Sequence, residues 1–163
     1  MRVIKLITAM AILSLAFSGL NCKKDEEPES AIPEKYIGTW VANLDVDGTL
    51  IEYAPASDPG NGVDVRFLGG AITVTLKKDG TYSLTTEFPG EDASTDQGSV
   101  TLDEDLKIIR MKSSDPEGDT IIFAYEWTDD NTLTLTTQAE FDFPLEGNPP
   151  VPAIVTIIIK RST

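Results

Sequence analysis

The sequence predicts an all-β domain, folded as a single antiparallel up-and-down β-barrel of about eight strands. Threonine, valine, isoleucine and aromatic residues alternate with polar residues along most of the chain after residue 34, which is typical of strands with one buried face. Few stretches repeat apolar residues at helical spacing. Clusters of Gly, Pro, Asn and Asp separate the alternating runs, and a series of strands joined by tight turns indicates a meander. A β-sandwich is the alternative.

The alternating runs place the strands in chain order. We expect them near residues 35–44, 49–54, 63–68, 71–77, 81–88, 98–102 continuing through 106–112, 119–128 and 132–141, with a closing strand near 153–161. The strands near 119–128 and 153–161 are partly apolar on both faces, so we expect neither of their faces to be bathed in water. The strand near 132–141 alternates more regularly and should have one exposed face.

The hairpin around residues 78–80 allows a prediction of register. A two-residue turn would pair Leu76 with Ser83 and place the apolar residues of the two strands on opposite faces of the sheet. A three-residue loop pairs Leu76 with Tyr82 and keeps both apolar sets on one face. The sequence therefore predicts a type I turn followed by Gly80 in the left-handed conformation.

The first 21 residues have the features of a secretory signal. A basic start with Arg2 and Lys5 precedes an apolar or small run over residues 6–17, which matches the charged and apolar regions of a signal peptide. A permanent transmembrane helix needs roughly 18 to 20 apolar residues, and this run is shorter. We therefore predict that residues 1–21 are a signal peptide that is removed.

Cys22 is the only cysteine of the chain, and an odd cysteine in an exported protein needs an explanation. Residues 18–22 resemble the lipobox of bacterial lipoproteins, in which the cleaved cysteine follows small residues and a leucine. Asn21 stands where Gly, Ala or Ser is usual, and Leu20 lies one place later than usual. The resemblance implies cleavage before Cys22 and lipid attachment to it. The alternative is an ordinary signal peptide that contains a cysteine.

Residues 22–33 are charged and contain proline, with no apolar periodicity, which predicts a lipidated, disordered tether. In enteric bacteria an aspartate directly after the cysteine resembles a signal for retention in the inner membrane. Lys23 occupies that position here, so the retention signal is not present. Lysine followed by acidic residues resembles the surface-export signal of lipoproteins in the Bacteroides group. These resemblances imply that the protein is anchored in the outer membrane of the cell envelope by N-terminal acyl chains. The folded domain could lie on the periplasmic or on the surface side of that membrane. Stable anchoring takes two or more chains.

The remaining residues, 34–163, are enough for one domain with its own core. The whole chain has 27 acidic and 13 basic residues and a net charge of −14. A polyanion such as nucleic acid is bound through Lys and Arg. The charge therefore excludes nucleic acid as a natural partner.

Residues 38–40, Gly-Thr-Trp at the start of the first strand, resemble the Gly-x-Trp motif of lipocalins and of bacterial lipocalin-like domains. Two later hairpins carry the same resemblance, at residues 78–82 and 127–135. It covers residues 34–163 in layout and implies a lipocalin-like β-barrel. It also implies that a basic residue at the end of the last strand lies over Trp40 and closes one mouth of the barrel. Arg161 is the expected residue and Lys160 the alternative. Such a contact contributes about 0.5 to 2 kcal/mol.

The chain contains no histidine, and Cys22 is assigned to lipid attachment. Ser-His-Asp and Cys-His nucleophile systems and the usual zinc sites are therefore excluded. Acidic turns at residues 45–48, 92–98 and 115–119 lack the pattern of a twelve-residue calcium loop, and we interpret them as turns. We predict no catalytic residue, no metal site and no cofactor. A carboxylate-dependent hydrolase is the residual enzymatic alternative.

These features predict a non-catalytic, membrane-anchored lipoprotein that binds a small hydrophobic ligand. A barrel of eight strands is filled by its own side chains or holds one small apolar molecule. The candidate lining residues are Tyr82, Phe123, Tyr125 and Trp127, and core packing would explain each of them equally. The alternative function is an envelope or cell-surface protein-interaction module without a small-molecule ligand, for which the proline-rich segment 143–152 is a candidate surface.

Overall fold

A computed structural model describes residues 32–88, 90–141 and 151–162 of the protein. It contains two short 3-10 helices, Glu34–Tyr36 and Val65–Leu68. The ten strands are β1 (Gly38–Ala42), β2 (Leu50–Pro55), β3 (Val63–Asp64), β4 (Ala71–Leu76), β5 (Thr81–Glu87), β6 (Ser94–Asp103), β7 (Ile108–Ser113), β8 (Thr120–Asp129), β9 (Thr132–Phe141) and β10 (Val151–Arg161). No helix among the described residues is both long enough and apolar enough to cross a membrane.

Several sequence predictions fall on parts of the chain outside the described residues. These parts are the predicted signal peptide over 1–21, the predicted lipid-attachment residue Cys22, the tether up to residue 31, and residues 143–150 of the proline-rich segment.

Eight of the ten strands form a closed antiparallel barrel. Each strand from β4 to β9 pairs with the next one along the chain. β1 pairs with β4 along one edge and with β10 along the other, where Trp40 lies opposite Arg161. The predicted single barrel is therefore confirmed and is consistent with a lipocalin-like barrel. The β-sandwich alternative is wrong, because the opening and closing strands are paired with each other.

β1 and β2 follow one another along the same edge of β10. Trp40 and Val41 pair with the last residues of β10, and β2 pairs with residues 153–158 of it. Residues 43–49 form a loop between the two strands, and the Thr49 hydroxyl donates to the carbonyl of Asn43 at 2.8 Å. β2 thus extends the wall beyond the end of β1, and the two-residue strand β3 pairs with its free edge.

Alternate residues of the strands point into the barrel and form one core. In β10 the buried positions are Ala153, Val155, Ile157 and Ile159, with half-buried or exposed residues between them. This alternation is the period of two that a strand imposes on its side chains. Each large apolar side chain that is fully buried stabilises the fold by about 1.5–3 kcal/mol.

The register of the β4–β5 hairpin is confirmed. Leu76 pairs with Tyr82, and Gly80 has a φ of 78°. The Gly80 amide donates to the carbonyl of Lys77 at 3.0 Å, and the Lys77 amide donates to the carbonyl of Thr81 at 2.9 Å. The three-residue loop keeps the buried residues of both strands on the inner face.

The strand predicted near residues 63–68 is wrong beyond its second residue. The chain leaves β3 and enters the 3-10 helix Val65–Leu68, because the Asp64 carboxylate accepts a hydrogen bond from the Arg66 amide at 3.1 Å and caps the helix. Gly69, at a φ of 95°, ends it. The capping bonds outweigh the strand preference of this valine-containing run.

The strand predicted to continue from 98–102 through 106–112 is also wrong. β6 and β7 are separate strands paired in a hairpin, with Val100 opposite Met111. The connecting turn has Lys107 at a φ of 57°, and the Asp103 carboxylate accepts from the Leu106 amide at 2.9 Å. A local carboxylate-to-amide bond of this kind initiates a turn without glycine.

The expectation that β8 has no water-exposed face is wrong. Its outward residues Ile122 and Ala124 are exposed, and Ile122 retains 49% of its accessible surface. On β10 the outward residues Ile154 and Ile158 are half-buried. A closed barrel buries only its inner face, and isolated apolar residues are common on protein surfaces.

Candidate functional site

One end of the barrel is closed around Trp40, which is fully buried. The guanidinium carbon of Arg161 lies 4.4 Å from the centroid of the Trp40 ring. The same guanidinium donates to the carbonyl of Ile37 at 2.6 Å and to the carbonyl of Lys35. The structure thus places Arg161 over the indole, whereas the ammonium end of Lys160 lies beside Gly48.

Tyr36, from the helix Glu34–Tyr36, completes this closed end. Its carbonyl accepts from the Trp40 indole nitrogen at 2.9 Å, and its hydroxyl lies 2.7 Å from the Tyr125 hydroxyl and 3.2 Å from a Glu104 carboxylate oxygen. The Trp127 ring lies 5.2 Å from the Tyr36 ring. Burial and the hydrogen bond to Tyr36 raise the pKa of Tyr125 to about 12. Tyr125 and Trp127 therefore belong to the packed closed end of the barrel.

Tyr82 lies on the inner face opposite Gly98. Its hydroxyl donates to Asp96 at 2.5 Å, and the Ser113 hydroxyl donates to the other oxygen of the same carboxylate at 2.6 Å. Burial, followed by the hydrogen bond to Asp96, raises the pKa of Tyr82. The hydrogen bonds from Ser113 and then Tyr82 hold the pKa of Asp96 below its usual value. Tyr82 is a hydrogen-bonded core residue at this position.

A cavity of ≈770 Å³ occupies the opposite end of the barrel. Seven strands contribute to its wall, β2, β4, β5 and β7 to β10. Its lining is mostly apolar and includes Ile72, Val74, Leu84, Phe123, Val155 and Ile157. Of the four sequence-predicted lining residues, Phe123 lines this cavity, and Tyr82, Tyr125 and Trp127 are not among its described lining residues.

Two aromatic residues at the cavity were not identified from the sequence. Tyr53 of β2 and Phe88, directly after β5, line it with ring centroids 6.2 Å apart in an edge-to-face arrangement. Burial raises the pKa of the Tyr53 hydroxyl. Alternation along β2 would have placed Tyr53 on the same face as Ile51, which is the signal that could have identified it.

Polar residues of the lining lie where the cavity meets solvent. Asp119, Thr120 and Gln138 line it and are exposed. Thr86 and Thr137 line it from half-buried positions. The arrangement has apolar walls and a small number of polar groups, which is the usual composition of a small-molecule site.

Among the described residues, no three His, Cys, Asp or Glu side chains lie close enough together to hold a metal ion. No protein-family model matches the chain, and a search of curated proteins finds no match. The barrel and its cavity are therefore the features that indicate a function.

Proposed function

We propose that this protein is a membrane-anchored lipoprotein whose lipocalin-like barrel binds one small hydrophobic molecule without changing it chemically. The observation that carries the proposal is the apolar cavity of ≈770 Å³ at one end of the barrel. Sites for small molecules typically have volumes of about 300–1,000 Å³ and bury most of the ligand. The opposite end of the barrel is closed, with Arg161 over Trp40, so the cavity opens away from that end.

Binding is tested with a neutral fluorescent probe of hydrophobic sites, N-phenylnaphthylamine, titrated into the purified domain. We expect saturable binding with one probe per chain. Ala139 lines the cavity and is exposed, so Ala139→Trp should fill its entrance without disturbing the core. We expect this variant to bind about tenfold more weakly or worse, a loss of about 1.4 kcal/mol.

Ala124→Trp is the matched control, because Ala124 is exposed on the outer face of β8 and does not line the cavity. This variant should bind the probe as the parent protein does. Equal binding by Ala139→Trp and the parent, or no saturable binding by either, would contradict the proposed function.

The anchoring part of the proposal is supported by the signal-like residues 1–21 and the single cysteine that follows them. We propose an outer-membrane location in the cell envelope, held by acyl chains on Cys22. Cells grown with a labelled fatty acid should yield labelled protein in the membrane fraction. The Cys22→Ser variant should lose the label and leave that fraction, and label retained by this variant would contradict lipid attachment at Cys22.

One observation favours the second candidate function, an envelope protein-interaction module. Phe67 and Leu68, on the helix Val65–Leu68, retain 71% and 50% of their accessible surface. Adjacent exposed apolar side chains are a feature of interaction surfaces. If this function holds, a photo-crosslinker placed at residue 67 in intact cells should give a discrete protein adduct. Absence of any adduct would exclude this surface as a site of protein interaction.

A further inference from the structure

The charged part of the cavity lining is acidic. Among its described lining residues, Asp119 is the one acidic side chain, and none is Lys or Arg. Asp119 is exposed at the beginning of β8, next to Thr120. A molecule with an apolar body and a charged end binds such a cavity with its body inside, because the charged end cannot leave water without a partner. The charged end would therefore lie near Asp119.

Strand direction shows that the surroundings of the entrance are acidic as well. The connections before β3, β4, β6 and β8 all lie at the cavity end of the barrel. Their described parts contain the carboxylates Asp58, Glu91, Asp92, Asp115, Glu117 and Asp119.

Two of the described basic residues lie at this end of the barrel. Lys112, near the end of β7, is exposed on the outer face opposite Thr120. Arg66, in the connection before β4, is paired. Its guanidinium lies 2.6 Å from an Asp64 carboxylate oxygen in a partly buried ion pair. Burial alone would raise the pKa of Asp64, but the hydrogen bonds and positive charge of Arg66 hold that pKa below its usual value. Arg66 is thus neutralised locally and does not offset the carboxylates around it.

The closed end has a different charge pattern. Lys35 and Glu104 form an ion pair there, with the ammonium 2.5 Å from the carboxylate. Lys77, Lys78 and Lys107 lie in the turns of the same end, together with Asp79, Asp103, Asp105, Asp129 and Asp130. The charges of the closed end are therefore mixed, whereas the described connections of the cavity end contain six carboxylates and one basic residue, Arg66.

We propose that the cavity selects amphiphiles with a cationic head group over neutral or anionic ones of the same length. The inference rests on the proposed function, since it needs the cavity to hold a ligand. The apolar body would lie against Val74, Leu84 and Phe123, and the ammonium would lie at the entrance beside Asp119. Thr120 and Gln138 can accept its hydrogen bonds through their oxygens.

Charge selection at an exposed site is modest and depends on salt. An ion pair of this kind is worth about two- to fivefold in affinity. The carboxylates around the entrance repel an anionic head group, such as that of a fatty acid. The Debye screening length falls from about 10 Å at 0.1 M salt to about 3 Å at 1 M. The preference for the cationic head group should therefore diminish as salt is added, while the apolar contribution to the affinity remains.

The test compares dodecylammonium, dodecanol and dodecanoate by titration calorimetry, each below its aggregation concentration. We expect dodecylammonium to bind about two- to fivefold more tightly than dodecanol, and dodecanoate to bind most weakly. The Asp119→Asn variant should lower the ratio of dodecylammonium to dodecanol affinity. Asp105→Asn makes the same charge change in the turn between β6 and β7, at the closed end, and should leave the ratio unchanged.

The outcomes separate the two proposals. If none of the three probes binds the parent protein, the proposed function itself is wrong. If they bind with equal affinity, or dodecanoate binds best, the cavity is a binding site and the charge selection is wrong. Should Asp119→Asn fold poorly, the parent protein still decides the point, because its preference for dodecylammonium must decline at high salt.

Discussion

At the scale of single residues, Arg161 has two roles at the closed end. Its planar guanidinium stacks on the Trp40 ring and at the same time donates to the carbonyls of Ile37 and Lys35. The stack holds the end of β10 over the core, and the hydrogen bonds tie it to the segment before β1. A lysine ammonium carries the same charge but has neither the flat surface nor the fixed fork of donors.

Arg161→Lys should therefore lower the free energy of unfolding by about 1–2 kcal/mol, because it weakens the stacking and loses at least one hydrogen bond. Urea unfolding followed by tryptophan fluorescence measures the change. The matched control is Arg110→Lys on β7, an outward and half-buried position. Equal midpoints for the two variants would show that Arg161 does not hold this end.

Asp96 should make stability depend on acid. The hydrogen bonds from Ser113 and Tyr82 depress its pKa in the folded protein, so its ionised form stabilises the fold at pH values above its ordinary pKa. That contribution is lost as pH falls through the depressed folded value. Asp96→Asn should be less stable than the parent at neutral pH, and the difference should narrow as the solution is acidified.

Urea midpoints measured from neutral pH into the acidic range test this expectation. The Asp105→Asn variant serves as the control because Asp105 is exposed in a turn, and its midpoint should follow that of the parent throughout. A constant difference between Asp96→Asn and the parent at all pH values would contradict a role for the ionised carboxylate.

At the scale of elements, the β4–β5 hairpin depends on the conformation of one glycine. Gly80 has a φ of 78°, where a Cβ atom is strained. Gly80→Ala should cost about 1 kcal/mol of unfolding free energy. Gly60→Ala is the control, since Gly60 has no positive φ and an added Cβ would meet nothing closer than an Asp58 oxygen at 3.9 Å. Equal stability of the two variants would contradict the assigned turn.

Elements were predictable where local rules and the barrel agree. In the β4–β5 hairpin, alternation, loop length and a glycine with positive φ all indicate one register. Between β6 and β7 the turn has Lys107 in the left-handed region, and no glycine or proline marks it. At Val65–Leu68 the residue types favour a strand, but capping by Asp64 starts a 3-10 helix there instead. Hydrogen bonds made by particular side chains decided both cases, and periodicity does not report them.

The candidate site was predictable only in part for a related reason. Alternation places Phe123, Tyr125 and Trp127 on the same face of β8, and that face does point inward. How deep each residue lies along the barrel depends on the stagger of the neighbouring strands. Tyr36, on the short helix that precedes β1, packs on Tyr125 and Trp127 at the closed end. Of the three aromatic residues, Phe123 therefore lies at the cavity.

At the scale of the whole molecule, an occupied cavity should stabilise the barrel. A ligand that binds only the folded state adds about 2.7 kcal/mol at a concentration one hundred times its Kd. With N-phenylnaphthylamine at that concentration we expect the unfolding temperature to rise by roughly 5–10 °C. Ala139→Trp should show a much smaller rise at the same probe concentration. An unchanged unfolding temperature of the parent protein would contradict binding to the folded barrel.

β10 bonds to β9 along one edge and to β2 and β1 along the other. It follows all other strands in chain order, so a nascent chain that emerges from its amino terminus holds an incomplete sheet with two open margins. Unpaired margins recruit strands from other copies and lead to aggregation, and contacts between distant parts of a chain form slowly. Docking of β10 therefore pairs both margins at once and leaves no open edge on β9 or β1 for a strand of another copy.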